Sequence, residues 1–555
     1  MPHPTPLRST LLLACFGACF QPARAQDAAD ARQTAGFDVV IRGAILIDGT
    51  GVPGRRADLA IRNGRIAAIG NLDNLQATVD IDAAGQVVCP GFIDLHSHAD
   101  RGILKFRPAE NYIRQGVTSL LCGNCGSSPT DIGRFFEELR NGGIGPNIAI
   151  LVGHGSVRQE VLGRRDIVPD GDQLNRMKQL VRKAMQDGAV GLSTSLRYGA
   201  GSFARTDEIV ALAGEIKPFG GFYATHMRDE GTRIVEALEE ALVIGHQAHV
   251  PVHVSHHKIS SASVFGLTRQ TLARIDAARK AGIDVSLDQY PYGAGSGGVG
   301  LYVPQRALAG GLEAYRKRVA DPKQRAAILA SVEDLLVRKL YLADQSPGDP
   351  DHTKQALARI QIARARHDLK LEGRNLVQIL QTRKQDITLR SGAELLIELV
   401  GHGVTGINHT LEARPGGDVD RVMTYPHTAV ASDGSVFQFG QGNPHPRSYG
   451  CYPRVLGHYV RKRGVLKLET AIYKMTALPA KRLGWSDRGR LRTGAIADIT
   501  VFDPDTVSDK ATFLKPHQHS VGITHVLVAG RFVLKNGRMT GQLPGTPVSL
   551  GDPDP

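Results

Sequence analysis

Two histidines one residue apart, His96 and His98, open a series of metal-ligand residue types that continues with Cys125, His226 and His256 and ends at Asp433. Each stands at the end of a short apolar run, where a β-strand would stop. On a strand, residues i and i+2 point to one side, so the two imidazoles of His96 and His98 can face a single ion. Asp94, another i−2 step back, is placed to orient them. A thiolate is a strong zinc ligand and can bridge two ions, and the glycines around Cys125 in Gly123-Asn124-Cys125-Gly126 argue against plain core filling. His226 closes Phe222-Tyr223-Ala224-Thr225, and His256 closes Val252-His253-Val254-Ser255. His253 and His257 compete with His256. On a strand His257 points the opposite way and His253 lies deeper in the run, which favours His256. A carboxylate at Asp433, in Ala431-Ser432-Asp433-Gly434, can hold a water at a metal and take its proton. Its alternative is an ordinary Asp-Gly turn.

Ligands gathered from strand ends need a scaffold that brings those ends to one face. From about residue 91 to 300, apolar strand runs alternate with helix-period segments. Val117–Cys125, Asn147–Val152, Val190–Thr194, Gly221–Thr225, Val250–Ser255 and Ile283–Leu287 read as strands. Leu174, Met177, Leu180, Val181, Ala184 and Met185 recur at helical spacing between two of them, and Ile234 to Ile244 does so between two others. Repeated βα units predict an α/β fold, a (β/α)8 TIM-like barrel spanning residues 91–300 and 397–486. Residues 36–90 and 487–545 are strand-rich, with turns at Asp48-Gly49 and Asn63-Gly64, and predict one small β-sandwich built from both termini. Residues 301–396 are charged and helix-like and read as an α-rich insertion. The barrel is expected to resume with 394–400, 404–409 and then Thr428–Asp433.

The chain has 555 residues, ordinary apolar content and a formal net charge of +13. No basic stripe interleaved with aromatics is present, so the charge argues for anionic small molecules or a cell-envelope address rather than nucleic acid. Leu11–Phe20 is an apolar run followed by Ala23-Arg24-Ala25, the pattern of a signal peptide cleaved after residue 25. A periplasmic or secreted location follows, with lipidation at Cys15 as the rival. No segment has the length of unbroken apolar residues that a membrane span needs. The remaining cysteines are Cys89, Cys122, Cys125 and Cys451, too few for a disulfide scaffold in a chain this size. A Cys122–Cys125 bridge would demand a tight fold-back through Gly123-Asn124.

With these residues in place, the chain resembles the N-acyl-D-amino-acid deacylases (D-aminoacylases) of the amidohydrolase superfamily. The resemblance is carried by Gly91-Phe-Ile-Asp-Leu-His-Ser-His-Ala-Asp100, Gly123-Asn-Cys-Gly126, Tyr223-Ala-Thr-His-Met-Arg228, Ser255-His-His-Lys258, Asp288-Gln-Tyr-Pro-Tyr292, Ser432-Asp-Gly434 and His445-Pro-Arg-Ser-Tyr-Gly450. His-x-His says only amidohydrolase; the Gly-Asn-Cys-Gly and Ser-His-His-Lys runs narrow it. The resemblance implies one tightly held zinc on Cys125, His226 and His256. It implies a second, weaker position on His96, His98 and the shared Cys125, the thiolate standing where other members carry a carboxylated lysine. It implies Asp433 as the proton carrier, and Lys258, Tyr290, Ser296 and Arg447 as the residues that hold the substrate's α-carboxylate. The implied activity is hydrolysis of N-acyl-D-amino acids to a carboxylate and a free D-amino acid. A cyclic-amide hydrolase of the hydantoinase or dihydroorotase kind, and a non-catalytic binding protein on the same scaffold, are the alternatives. The stretch between Asp433 and Arg447 is longer than the family pattern, His409 and Glu412 match no motif, and 301–425 is too divergent to carry over. Side-chain and acyl preference, metal count and oligomeric state are not written in these motifs.

Overall fold

The computed structural model describes residues 36–550, so the expected signal segment and Cys15 lie outside the described residues. Eight parallel strand positions follow one another in chain order. They are β1 (Phe92–Asp94), β2 (Val117–Cys122), β3 (Asn147–Ile150, resuming at Val152–Gly153), β4 (Gly191–Ser195), β5 (Phe222–His226), β6 (Val252–Val254), β7 (Val285–Gln289) and β8 (Thr428–Val430). Each pairs in parallel with its predecessor, from β1 with β2 through β7 with β8. The ring is completed just past the strand ends. Ser97 bridges Gly434 in parallel, Asp433 N–H donates to the His96 carbonyl at 2.7 Å, and His98 N–H donates to that of Gly434 at 2.7 Å. The segments that close the barrel are therefore the same segments that carry His96, His98 and Asp433.

The strands are short, apolar and buried on both faces, as parallel strands wrapped by helices must be. Every residue of β2 and of β5 is buried. Ile93, Leu95, Leu121, Ala149, Leu151 and Ala429 fill the barrel interior in one cluster. Outside, the helix Gly171–Gln186 starts at a reciprocal cap between Asp170 and Gln173 and buries Met177, Val181, Ala184 and Met185. The helix Ile234–Ala248 buries Ile234, Leu238, Ala241 and Leu242 and ends at His249 in the left-handed region (φ 55°).

The two ends of the chain meet where the sequence places them, in one nine-stranded sheet. Val87–Pro90 from the amino-terminal half pairs antiparallel with Ile499–Phe502 from the carboxy-terminal half. The long strand Phe37–Leu46 shares one edge between Ala77–Asp82 and Val87–Pro90. That sharing lets a single hydrogen-bonded sheet enclose its own core, in which Val39, Ile41 and Leu59 pack with Ile499, Val501 and Leu527. The buried Asp498 locks this module to the barrel: it accepts from Asn147 Nδ2 at the start of β3 (3.0 Å), from Ala529 N–H (2.8 Å) and from Arg488.

The insertion differs from expectation at both edges. Gly295–Gly298, Ile360–Arg364 and Thr405–Asn408 form a separate antiparallel sheet. The helix Leu389–Gly401 packs into a second core with Val299, Leu329, Leu336 and Ile360. The runs at 394–400 and 404–409 thus belong to the insertion and not to the barrel. Their apolar pattern is the same in either setting, which is why the sequence alone misassigned them. The chain returns to the barrel through the helix Asp418–Thr424 and β8.

Candidate metal centre and active site

At the barrel mouth the donor atoms converge. Cys125 Sγ lies 3.3 Å from His96 Nε2, 3.4 Å from His256 Nε2 and 3.9 Å from His226 Nδ1. His226 Nδ1 and His256 Nε2 are only 2.8 Å apart. Three sets of donors each fall within 4.8 Å: Cys125 with His226 and His256, Cys125 with His96 and His98, and His96 with His256 and Asp433. All six side chains are buried or nearly so. His253 and His257 are directed elsewhere, His253 to Ser286 Oγ (2.7 Å) and His257 to Thr271 Oγ1 (2.8 Å). No disulfide joins Cys122 to Cys125; both are free thiols.

Two carboxylates that the motif reading did not assign aim the rings. Glu230 stands 3.4 Å from His226 Nε2 and 3.0 Å from His256 Nδ1. Asp288, at the end of β7, stands 3.2 Å from His96 Nδ1 and 2.8 Å from His253 Nε2, and its second oxygen accepts the His256 N–H at 2.8 Å. A carboxylate on the outer nitrogen draws the ring proton there and leaves the inner nitrogen's lone pair facing the centre. Asp94 does something else than expected. It accepts the backbone N–H groups of His96 and Ser432, both at 3.0 Å, and so ties the end of β1 to that of β8 rather than orienting an imidazole. Asp288 was legible as part of Asp-Gln-Tyr-Pro-Tyr. Glu230 sits in a polar run four residues after His226, where nothing but the folded geometry distinguishes it from Asp229.

The backbone is held under tension at three of these positions. Cys125 (φ 53°), His256 (φ 37°) and Asp433 (φ 49°) all adopt the left-handed conformation that side chains other than glycine disfavour. Such strain persists only where neighbours over-determine it, and here they are the flanking glycine turn at Cys125, the Asp288 carboxylate on the His256 N–H, and the His96 carbonyl on the Asp433 N–H.

The electrostatics follow from crowding. Burial alone would raise the Cys125 thiol, but the imidazoles of His96 and His256 hold it well below its usual range, which favours the thiolate. Burial would likewise raise Asp433; Arg447, His96 and His98 hold its carboxyl far below the normal carboxylate range. Glu230 is also held low against burial, by His226, Lys258 and His256. A thiolate, two or more lone pairs and a carboxylate within one small volume repel one another unless a cation lies between them. The donor set is the sulfur-and-nitrogen chemistry of a transition-metal site, and the residues fit such an ion.

This centre forms the floor of a cavity of about 830 Å³ under the insertion. Lys258, Tyr290, Ser296 and Arg447 all line it. Arg447 Nη1 is 2.7 Å from Asp433 Oδ2, and its guanidinium lies 4.6 Å over the Tyr290 ring. The Tyr290 hydroxyl is buried and makes no hydrogen bond within the protein. Ser296 Oγ donates to the Gly406 carbonyl at 3.2 Å. Lys258 Nζ is taken by Glu230 at 2.6 Å and lies 2.8 Å from His256 Nδ1, so it bears on the metal ligands as directly as on the cavity. Tyr198, after β4, packs its ring edge-on against His226 at 4.9 Å and faces the same cavity. His409 and Glu412 lie in structural bonds, to Gln361 (3.0 Å) and to Asp418 N–H (3.1 Å) respectively.

If Glu230 fixes the ligand histidines, Glu230→Gln should weaken metal affinity about 10- to 100-fold. Competition against a chromogenic chelator measures this, and an unchanged affinity would remove Glu230 from the centre.

Comparison with known proteins agrees with this geometry. The Amidohydrolase family profile matches residues 80–534, and the profile for the urease alpha-subunit N-terminal domain matches residues 15–90. D-aminoacylase of Alcaligenes xylosoxydans xylosoxydans is 36% identical over 92% of this chain and 97% of its own length. The N-acyl-D-glutamate deacylase of the same organism is 34% identical over 89% and 93%. Among solved structures, a D-aminoacylase crystal structure superposes with a TM-score of 0.77 at 36% identity, covering 92% of this chain and all of that one. The N-acyl-D-glutamate deacylase of Bordetella bronchiseptica, complexed with zinc and a phosphonate mimic of the tetrahedral intermediate, superposes with a TM-score of 0.77 at 31% identity, covering 93% and 100%. A further D-aminoacylase structure is described as having a binuclear metal centre. A ring of candidate metal ligands at the mouth of a closed parallel barrel, a family-profile match over residues 80–534 and relatives above 30% identity lead to one assignment: the chain belongs to the amidohydrolase family, alongside the D-aminoacylases and N-acyl-D-glutamate deacylases.

Proposed function

We propose that this protein is a zinc-dependent deacylase that hydrolyses the amide bond of N-acyl-D-amino acids to a carboxylate and a free D-amino acid. The observation that carries it is the pairing, in one cavity, of a Cys125–His226–His256 donor set with a cationic and phenolic wall at Arg447 and Tyr290. The first matches amide hydrolysis and the second matches a free α-carboxylate beside the scissile bond. Relatives of matching length whose names state this chemistry support it. Cys125, His226 and His256 would hold the tight zinc. His96 and His98, with the shared thiolate, would hold the weaker second ion. When bound, zinc polarises the scissile carbonyl and acidifies water at the site.

The remaining work falls to the chain's own side chains. Asp433 Oδ1, 3.1 Å from His98 Nε2, is positioned to take the proton from the attacking water and pass it to the leaving amine. Arg447 grips a substrate carboxylate through a planar fork, Tyr290 supplies a hydroxyl with no competing partner, and Ser296 and Lys258 complete the wall. Fixing the carboxylate and the carbonyl at two points leaves the substituents on the α-carbon one arrangement, which selects one enantiomer. Tyr198, which lines the cavity with its ring against His226, would offer a phenol to the developing negative oxygen. The cyclic-amide alternative has less support, because the barrel-mouth lysine, Lys258, is held by Glu230 and the outer Nδ1 of His256, while Cys125 is the residue common to the His96–His98 and His226–His256 donor sets. A binding-only role has less support, because the relatives of matching length are named for deacylase activity.

The experiment that tests this incubates the zinc-loaded protein with N-acetyl-D- and N-acetyl-L-amino acids and a hydantoin, following free amine and ring opening. Amine release from the D-series alone is expected, and Asp433→Asn should keep zinc while losing turnover by at least about a hundredfold. Ring opening alone, or near-normal turnover in Asp433→Asn, would contradict the reading.

Arg447 has two effects that separate cleanly. Arg447→Met removes a carboxylate clamp, so KM for acyl amino acids should rise, with acyl amines lacking a carboxylate spared that increase. It also removes the main cation holding Asp433 ionised. The carboxyl pKa should rise, and because the base acts deprotonated, activity should fail at a higher pH on the acid side. A pH profile of kcat/KM whose acid limb does not move would refute the coupling.

We also propose export to the periplasm or medium, supported by the Leu11–Phe20 run and Ala23-Arg24-Ala25. Sequencing the mature protein from the exported fraction should find Gln26 as the first residue; a mature chain retaining Met1 would refute cleavage.

A further inference from the structure

The cavity wall carries more positive charge than an α-carboxylate requires. Beyond Lys258 and Arg447, six cationic side chains line it: Arg101, Lys105, Arg197, Lys339, Arg364 and Arg366. The carboxylates lining it are Glu230 and Asp433, and both are already engaged, Glu230 by Lys258 and the ligand histidines, Asp433 by His98 and Arg447. Of the six cations, Arg364 has a carboxylate within ion-pair reach, Glu372 at 3.8 Å. Among the described residues the other five have none.

Two of these five stand apart because they are half-buried rather than splayed into solvent. Arg197 follows β4 and immediately precedes Tyr198, and its Nη2 donates to the Leu301 carbonyl at 3.1 Å, which seats it under the insertion. Lys339 comes from the other side, from the last turn of the insertion helix Pro322–Leu340. A basic residue in a last turn is favoured by the helix dipole, but that does not account for its being partly buried beside a second cation. Burial, and then the charge of Arg197, push Lys339 down to about 8, although Asp229 and Glu230 pull the other way. Two like charges from separate elements on one cavity wall, neither with a carboxylate within ion-pair reach, mark a place where an anion relieves the repulsion.

We propose that Arg197 and Lys339 form a second anion subsite, and that the preferred substrate carries a second carboxylate besides the one on its α-carbon. This rests on the deacylase reading above and sharpens it to a substrate class: doubly anionic acyl-D-amino acids. The second carboxylate can come from the amino-acid side chain or from a dicarboxylic acyl group, and the chemistry recognised is the same.

The test compares kcat/KM for N-acetyl-D-leucine, N-acetyl-D-glutamate and N-succinyl-D-leucine on the zinc-loaded enzyme and on Lys339→Met and Arg197→Met. A charge-assisted contact of this kind corresponds to a preference of about tenfold or more. Preference for acetyl-D-glutamate assigns the second charge to the side chain; preference for succinyl-D-leucine assigns it to the acyl group. In either case both variants should shrink the ratio of doubly to singly charged substrate by roughly tenfold, through KM. Because Arg197 also holds the Leu301 carbonyl, Lys339→Met carries the test if Arg197→Met misfolds. The singly charged N-acetyl-D-leucine, measured on the same preparation, reports an intact site. Equal or better turnover of acetyl-D-leucine overturns the proposal, and so does a preference that survives both substitutions. Failure to hydrolyse any of the three would instead remove the deacylase reading on which it rests.

Discussion

Donor crowding at the barrel mouth is the constraint to which the surrounding structure answers. A thiol sulfur within 3.4 Å of two imidazole nitrogens, with two further imidazoles and a carboxylate close by, gathers more electron-pair donors at one point than a packed core has use for. It is maintained by force from behind. Glu230 and Asp288 take the outer nitrogens of His226, His256 and His96, and Asp94 takes the backbone of His96 and Ser432. The left-handed backbones at Cys125, His256 and Asp433 are the conformational cost of turning all three side chains inward. A cation converts this from a cluster of donors into a set of bonds, and metal binding here is then also a contribution to folding stability.

The same logic explains why the site sits at the barrel's seam. β1 and β8 do not meet through a regular ladder; they meet through the hydrogen bonds of residues 96–98 with 433–434. Asp433 is therefore placed by the act of closing the barrel, through its N–H bond to the His96 carbonyl. Arg447 then bears on it from the helix Arg447–Arg454 that follows. In the proposed mechanism this one guanidinium would serve both as counter-charge to Asp433 and as clamp for a substrate carboxylate, coupling binding to proton transfer.

Much of this was written locally in the chain. The alternation of 3.6- and 2-period patterns gave the barrel, because each βα unit must bury one strand and one helical stripe whatever its neighbours do. His96, His98, Cys125, His226, His256 and Asp433 could be named because each terminates an apolar run. What the chain did not disclose was relational. The strand at Thr405–Asn408 looks like any barrel strand, and its pairing with Gly295–Gly298 and Ile360–Arg364 depends on residues about 45 to 110 positions away. Glu230 and Asp229 are adjacent and chemically alike; the turn after β5 decides which one meets the histidines. Asp94 has the right type and spacing to orient an imidazole and is used instead on backbone, because the barrel seam needs those N–H groups satisfied. The proposed anion subsite draws Arg197 from a barrel loop and Lys339 from an insertion helix, and has no trace in either segment alone.

X-ray absorption at the zinc edge of the purified, metal-loaded protein examines the centre most directly. One sulfur at about 2.3 Å together with nitrogen neighbours at about 2.0–2.1 Å is the expected first shell, with the sulfur contribution lost in Cys125→Ser. A shell of oxygen and nitrogen alone, or a sulfur signal unaffected by that substitution, would contradict a cation held between Cys125, His226 and His256.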